Sequence, residues 1–429
     1  MQKMKYSGVE WIGEIPKDWD IKRLKAVLCE RNESNNPIKT DYILSLTNDR
    51  GVIPYDEKGD VGNKSKEDLS GYKLAYLNDI VLNSMNVIIG SVALSKYYGC
   101  VSPVYYMLYP RNPMDDVRYY NYIFQTKEFQ SKLKGYGNGI MEIRMRIQMS
   151  KLNTVELPIP DATTQTRIAD FLDDKCGKID RYIEKQQQII DKLKEYKQAV
   201  ITEAVTKGLD PDAPMKDSGI EWIGMIPEHW ENRKVISILA MRVVDGSHES
   251  PELFDEGIPY ISATAIVNGK IDFSQKRGFI SPEYCDICDQ RYVPQLDDIL
   301  MIKLGASTGQ VAMVETTDRF NIWVPLAAIR CNESACPKFV YYAFQSDYFI
   351  KQMQLSWTYG TQQTLGVKTI ERLRILMPLV EEQKQIADYL TERRKLIDTS
   401  IEKYQQIVDK LTEYKKSLIY EAVTGKLEV

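Results

Sequence analysis

Three groups of residues have types and spacings that could do chemistry. Cys285-x2-Cys288 with Cys331-x4-Cys336 offers four thiolates, the number a structural zinc takes. The second spacing is loose, however, the first half of the chain has no counterpart, and the apolar neighbours suit buried free thiols. Gly305-Ala-Ser-Thr-Gly309 is a glycine-bounded loop that lacks the lysine of a phosphate-binding loop. Glu195-Tyr-Lys197 and Glu413-Tyr-Lys415 look like nuclease carboxylate–lysine pairs, but both lie on a repeated helical stretch, where a solvated face accounts for them better. The [DN]PP[YF] tetrapeptide of adenine methyltransferases is absent, as is a strand-linked GxGxxG. With 2 histidines in 429 residues, neither His-based catalysis nor a His-rich metal site is expected. The chain is therefore expected to be no enzyme by itself, with no catalytic residue, no metal and no cofactor of its own.

The elements that would position a binding surface are written twice. Residues 168–207 and 386–425 are identical at 23 of 40 positions at a constant offset of 218, a gapless match that marks a duplication. Both copies are rich in Lys, Glu, Gln, Leu and Ile and contain no proline, which favours helix. Leu172, Ile179, Ile183, Ile190, Leu193, Val200 and Ala204 form a mostly 3/4-spaced seam, with Leu390, Ile397, Ile401, Tyr404, Val408, Leu411, Leu418 and Ala422 in the second copy. Such a stripe predicts a coiled coil, interrupted by Gln186 and Lys197 in one copy and Arg394 and Lys415 in the other.

A second repeat precedes each globular stretch. Ser7–Trp19 recurs as Ser218–Trp230 with 9 of 13 positions identical, an apolar strap expected to pack against something. Between strap and helix, short β-branched and aromatic runs alternate with turn residues. The two halves correspond only faintly there: Asp79-Ile-Val-Leu matches Asp298-Ile-Leu-Met, and Gly90-Ser-Val-Ala matches Gly309-Gln-Val-Ala. Pro158 and Pro160, and Pro378 in the second half, mark the boundary into each helix, since proline cannot continue a strand ladder. The expected division is a globular domain at 1–160, a helix at 161–208, a second domain at 209–380 and a second helix at 381–429. Seven scattered cysteines, no apolar signal segment and no membrane-length apolar run point to the cytoplasm. The net charge of −4 neither supports nor excludes a nucleic-acid face, which must come from local patches.

This layout resembles the DNA-specificity subunits of type I restriction–modification systems over essentially the whole chain. The residues carrying the likeness are the two Trp-Ile-Gly-x-Ile-Pro-x-x-Trp straps, Asp245-Gly-Ser-His-Glu-Ser-Pro251, Gly257-Ile-Pro-Tyr-Ile-Ser262, Asn268-Gly-Lys-Ile271 and Gly309-Gln-Val-Ala312. In the first half they are Asn83-Ser-Met85, Gly90 and Val101-Ser-Pro-Val-Tyr105, which look like a different class of recognition domain. The resemblance implies an α+β chain of two mixed α/β target-recognition domains separated by two long antiparallel helices forming a coiled coil, with an internal pseudo-twofold repeat. It implies double-stranded DNA as ligand, two methyltransferase subunits that carry S-adenosylmethionine, and restriction subunits that use ATP and Mg. A helix of about 40 residues spans roughly 60 Å, so the expected target is an asymmetric, bipartite site whose gap the helices set.

Within such heads, base readout needs amides, guanidinium or hydroxyl groups on exposed loops, with lysines for phosphates. The candidates in the first are Asn83, Ser84, Asn86, Lys96, Asn138, Arg144, Arg146 and Gln148, the last three alternating so that a strand would put them on one face. In the second they are His248, Lys303, Ser307, Thr308, Gln310, Thr361, Gln362, Gln363 and Lys368. Partner docking is expected on Glu184, Lys185, Gln187, Asp191, Lys192 and Glu195, which recur as Glu402, Lys403, Gln405, Asp409, Lys410 and Glu413. The competing reading is a coiled-coil scaffold with two ligand-binding heads that do not act on DNA.

Overall fold

The computed structural model describes residues 3–48, 50–59, 68–136, 146–359 and 363–429. It divides into two compact units, residues 1–187 with 405–429, and residues 188–404. Each long helix, Ala162–Lys207 and Val380–Val423, therefore contributes one part to each unit. Among the described residues no helix is long and apolar enough to cross a membrane.

In the first unit a four-stranded antiparallel sheet runs Leu28–Arg31, Tyr105–Pro110, Ile80–Asn83, Val92–Leu94. Successive side chains of a strand point to opposite faces. Ile80 and Leu82 accordingly pack with Tyr119, Phe124 and Leu172 of the helices, while Val81 packs with Leu44, Leu46 and Met107 beneath the hairpin Leu44–Thr47/Gly51–Pro54. A sheet covered on both faces reads as a continuous apolar run, which is why Ile80-Val-Leu shows no alternation. In the second unit Val244–Asp245, Leu326–Ile329, Ile299–Ile302 and Val311–Met313 form a sheet of the same order and sense. Ile299 and Met301 face the helices, and Leu300 and Ile302 face a separate cluster with Phe320 and Ile322.

The faint Asp79/Asp298 correspondence has a structural cause. Asn78 and Asp297 both take positive φ, at 66° and 69°. The following aspartate then accepts a backbone N–H, from Tyr76 in one unit and Gln295 in the other, and a forked arginine. Arg31 reaches Asp79 at 2.8 and 3.2 Å; Arg330 reaches Asp298 with both contacts at 2.7 Å. Asp79 and Asp298 are 1% exposed, so each carboxylate depends on its arginine. The two arginines come from non-equivalent strands, which a linear comparison does not reveal.

The straps are packed, though unequally. In the first, Trp11, Ile12, Ile15 and Trp19 are buried, and the hydroxyl of Tyr420 donates towards the Trp11 and Ile12 carbonyls. In the second, Trp230 is buried and its indole N–H donates to Glu382 at 3.0 Å, but Trp222, the counterpart of Trp11, is 39% exposed. The position equivalent to Tyr420 is Thr202, too short to hold the strap in the same way.

One expectation about the strand ladder is corrected. Pro158 does not end a ladder; it lies inside strand Glu156–Ile159, opposite Ile21 of Asp20–Arg23. A two-stranded ladder has an open edge on each strand, so a missing N–H is tolerated there. Asp161 then starts the helix, accepting the Thr164 N–H at 3.0 Å, and this hydrogen bond holds its carboxyl below the usual range.

Polar interruptions of the apolar seam find charged partners. In the first unit Lys415 bridges to Asp180 at 2.6 Å; in the second, Lys197 bridges to Asp398 at 2.7 Å. These are the same pair at the repeat offset, and they direct both lysines to the facing helix, away from Glu195 and Glu413. The cysteines fall into separate places: Cys285 and Cys288 lie on helix Pro282–Asp289, Cys285 beside Tyr260 and Ile280, while Cys331 and Cys336 pack on the main core of the second unit. Burial pushes the Cys285 thiol to about 11 and the Cys331 thiol to about 12.

Candidate nucleic-acid interface and helix faces

In the first unit the sheet delivers Asn83 and Asn86 to one loop, because strand Ile80–Asn83 ends there. Asn83 is half-buried and its side-chain oxygen accepts the Met85 N–H, which shapes the loop. Ser84 corrects the expectation of a surface contact. It is 0% exposed, and its hydroxyl donates to the Val104 carbonyl at 2.7 Å. Its role is to join two segments, for its own carbonyl accepts the Ile147 N–H at 2.9 Å. Ile147 is buried, and Arg146 and Gln148 on either side of it are exposed, Gln148 standing at the N-cap of helix Met149–Leu152 rather than in the strand expected from the sequence. Asn83, Asn86, Arg146 and Gln148 are thus brought to one surface. Lys96 is exposed but sits at the Ile80 end of the hairpin, away from that surface. Asn138 and Arg144 lie outside the described residues.

The second unit repeats the joint with different side chains. The Lys303 carbonyl, at the position equivalent to Ser84, accepts the Leu365 N–H at 2.8 Å. The Gly305 N–H donates to the Gln363 carbonyl at 3.0 Å, bringing that segment beside the loop 304–310. Ser307 and Gln310 are exposed on this loop, Gln363 is half-buried, and Lys368 is exposed on the first turn of helix Val367–Arg372. Thr308 is a correction: it is buried, and its hydroxyl donates to the Gly305 carbonyl at 2.7 Å, closing the loop from inside. Thr361 and Gln362 lie outside the described residues.

Lys303 is corrected too. It is 9% exposed and its ammonium lies 3.1 Å from Asp245. His248 reaches the same carboxylate at 3.0 Å, and Arg291 pairs with its other oxygen. Burial raises the Asp245 carboxyl, but the hydrogen bonds from Lys303 and His248 and the nearby cations outweigh it, so the net displacement is downward. Asp245 is therefore an anchor for two cations, Lys303 and Arg291, and for the His248 ring. Next to it, a Cβ on Gly246 would fall 2.3 Å from the Ile322 carbonyl oxygen, so that position is reserved for glycine by close backbone approach. His248 keeps most of its ring in solvent and is still placed to touch a ligand.

All twelve helix candidates are exposed. They divide unequally between the units: Glu184, Lys185, Gln187, Gln405, Asp409, Lys410 and Glu413 lie in the first, and Asp191, Lys192, Glu195, Glu402 and Lys403 in the second, so both copies of the glutamine fall in the first. Glu413 is held below the usual carboxylate range by Lys416 and then Lys127. Sequence reasoning missed Tyr196 and Tyr414, which occupy the same repeat position and are 53% and 58% exposed. An aromatic ring left in water twice at one helical position could have been flagged from the seam register, which places both rings off the apolar stripe.

Comparison with known proteins agrees with this construction. The model of the type I restriction modification DNA specificity domain matches residues 16–195 and again 227–412. The chain is 26% identical over 396 residues to a putative type I restriction enzyme MjaX specificity subunit of Methanocaldococcus jannaschii, covering 88% of this chain and 87% of that protein. The MjaVIII specificity subunit of the same organism is 24% identical over 385 residues, covering 88% and 86%. A shorter match joins it to the EcoBI specificity subunit of Escherichia coli, 26% identical over 275 residues, 61% of this chain and 57% of that one. Among solved structures, a chain described under "Structural basis underlying complex assembly and conformational transition of the type I R-M system" has a TM-score of 0.71 over 96% of this chain and 99% of its own, at 13% identity. At that identity the likeness is one of fold.

Proposed function

Because the chain belongs to the type I restriction modification DNA specificity family, we propose that it works as the non-catalytic reading subunit of such a complex, with each unit contacting one half of an asymmetric, bipartite DNA site. The observation that supports this most is the shared joint. Ser84 with Ile147, and Lys303 with Leu365, make the same backbone contact beside the same sheet. Around it the first unit presents Asn83, Asn86, Arg146 and Gln148, and the second presents Ser307, Gln310, Gln363 and Lys368. One scaffold with two sets of amides, hydroxyls and cations suits two different half-sites. Arg146 and Lys368 are exposed, Lys368 with Glu371 three residues on in the same helix, and both supply phosphate or guanine contacts.

The helices, 46 and 44 residues long, correspond to about 69 and 66 Å at 1.5 Å per residue. In this reading they pair as an antiparallel coiled coil with pseudo-twofold character, supported by the repeated Lys415–Asp180 and Lys197–Asp398 bridges. The two recurring exposed sets, with Tyr196 and Tyr414, then dock two copies of one methyltransferase subunit. That partner would bring S-adenosylmethionine, and a restriction subunit would bring ATP and Mg, leaving this chain without a cofactor. The structural relative's description as part of an assembling type I system supports such partners.

The test is to express the chain with its methyltransferase partner and sequence the methylated positions across a genome. The expected result is one split motif with a fixed gap. Methylation without sequence preference, or a complex in which deleting this chain leaves the motif unchanged, would sink the reading in favour of a scaffold that does not act on DNA.

A further inference from the structure

The second unit holds a solvent-open cavity of about 840 Å³ where the hairpin Ile266–Val267/Lys270–Ile271 meets both long helices. Its walls carry six cations, Lys194, Lys197, Lys270, Lys338, Arg394 and Lys395, against three carboxylates, Glu315, Asp398 and Glu402. Asp398 is already engaged, at 2.7 Å by Lys197 and 3.3 Å by Arg394. Lys270, Lys338 and Lys395 have no carboxylate in reach among the described residues, and Lys194 has only Asp191 at 3.9 Å. In a chain of net charge −4, six cations against three carboxylates is a local excess of positive charge that the walls only partly offset.

The walls are fixed. Asn268 and Gly269 take φ of 52° and 78°, as a two-residue hairpin turn demands. Arg394 donates to the Asn268 carbonyl and to the Tyr341 hydroxyl, and that hydroxyl donates to the Gly269 carbonyl at 2.8 Å. A Cβ on Gly269 would sit 2.3 Å from the Tyr341 oxygen, so the turn is seated directly on this clamp. Tyr341 and Tyr342 are 6% and 4% exposed and leave no ring face on which a base could stack.

The duplication did not supply this charge. At the repeat offset, the first unit has Cys176 and Gly177 where the second has Arg394 and Lys395. Lys338 corresponds to Arg118 on helix Val117–Gln125, and Arg118 is consumed by Asp116, Asp170 and Asp173. Of the six cations Lys197 recurs in the first unit as Lys415, bridged there to Asp180, whereas the unpaired Lys338 and Lys395 have no unpaired cation at the corresponding positions of the first unit.

We propose that this cavity binds a phosphate chain: several phosphoryl groups held by lysine ammonium charges, with the fixed hairpin turn as one wall. The phosphates come either from a free polyphosphate or from a DNA backbone, and the proposal does not depend on which bases either unit reads.

The test is calorimetric titration of the full-length chain with inorganic tripolyphosphate at low salt. Saturable binding of one tripolyphosphate per chain is expected. The double variant Lys338→Gln/Lys395→Gln should weaken it about tenfold or more, and added salt should weaken it further. The control Lys132→Gln/Lys134→Gln, which removes the same charge from exposed positions of helix Lys127–Lys134 in the first unit, should leave it unchanged. Lys270→Gln alone, read the same way, covers the case in which the double variant fails to fold. If a duplex lacking the methylation motif displaces tripolyphosphate from the wild type, the phosphates are those of DNA; if it does not, they are those of a free ligand. No saturable binding, or equal weakening in the cavity and control variants, overturns the proposal.

Discussion

Where helix meets head, the two units solve the same packing problem with opposite chemistry. In the first, Arg118 is surrounded by Asp116, Asp170 and Asp173, and Tyr122 donates to Asp173 at 2.6 Å, so the charge is cancelled locally. In the second, Thr391 stands where Asp173 would be, and Lys338 has no carboxylate partner among the described residues. Around these sites the backbone is held alike: equal sheet order, equal positive φ before the anchoring aspartate, equal lysine–aspartate bridges between helices. Backbone geometry was retained after duplication while surface chemistry diverged, the pattern expected if the scaffold has one task and the two surfaces have different ligands.

The comparison can be broken most forcefully at the anchoring aspartates. Arg31→Ala and Arg330→Ala each leave a nearly fully buried carboxylate without its cation, and each should cost about 3–5 kcal/mol, read by chemical denaturation. The loss at Asp298 should be the smaller of the two, because the Tyr292 hydroxyl still donates to it at 2.7 Å; no loss at either site would mean that its arginine is incidental. The straps should then differ. Trp11→Ala removes a buried ring packed edge-on against Phe129 and should cost about 3 kcal/mol or more. Trp222→Ala removes a ring 39% exposed and should cost less than about half of that.

Smaller in energy but more informative for function, Arg146→Ala should relax preference in one half of the methylation motif, and Gln310→Ala in the other, each by about 1–3 kcal/mol of discrimination. Sequencing of methylated positions reads this directly; a variant that blurred both halves together would contradict separate reading surfaces. The least effect concerns acid. The Asp245 carboxyl has a folded pKa below its ordinary value, so its contribution is present above the unfolded value of about 3.9. It is lost as pH falls through the folded pKa. Asp245→Asn should lower stability at pH 7 and shrink the difference from wild type in strong acid, followed by thermal melts across pH 2–7.

The sequence by itself determined the duplicated plan: the helix from its composition and apolar spacing, the strap from its repeated tryptophans, and the family from short motifs spread along the chain. Its strand reading of Arg146 and Gln148 is not met, since Gln148 stands at the N-cap of the short helix Met149–Leu152, although both residues are exposed. It could not separate exposed from buried polar residues, because a serine, threonine or lysine in a loop looks the same in either state. Burial of Ser84, Thr308 and Lys303 follows from contacts with Val104, Gly305 and Asp245, separated from them by 3 to 58 positions. The same holds for the arginines that anchor Asp79 and Asp298, which arrive from strands with no shared position in the repeat. Local periodicity fixes elements and faces, whereas the partner of a charge is chosen by whichever distant side chain the fold brings within hydrogen-bond reach. Only the tertiary structure decided that.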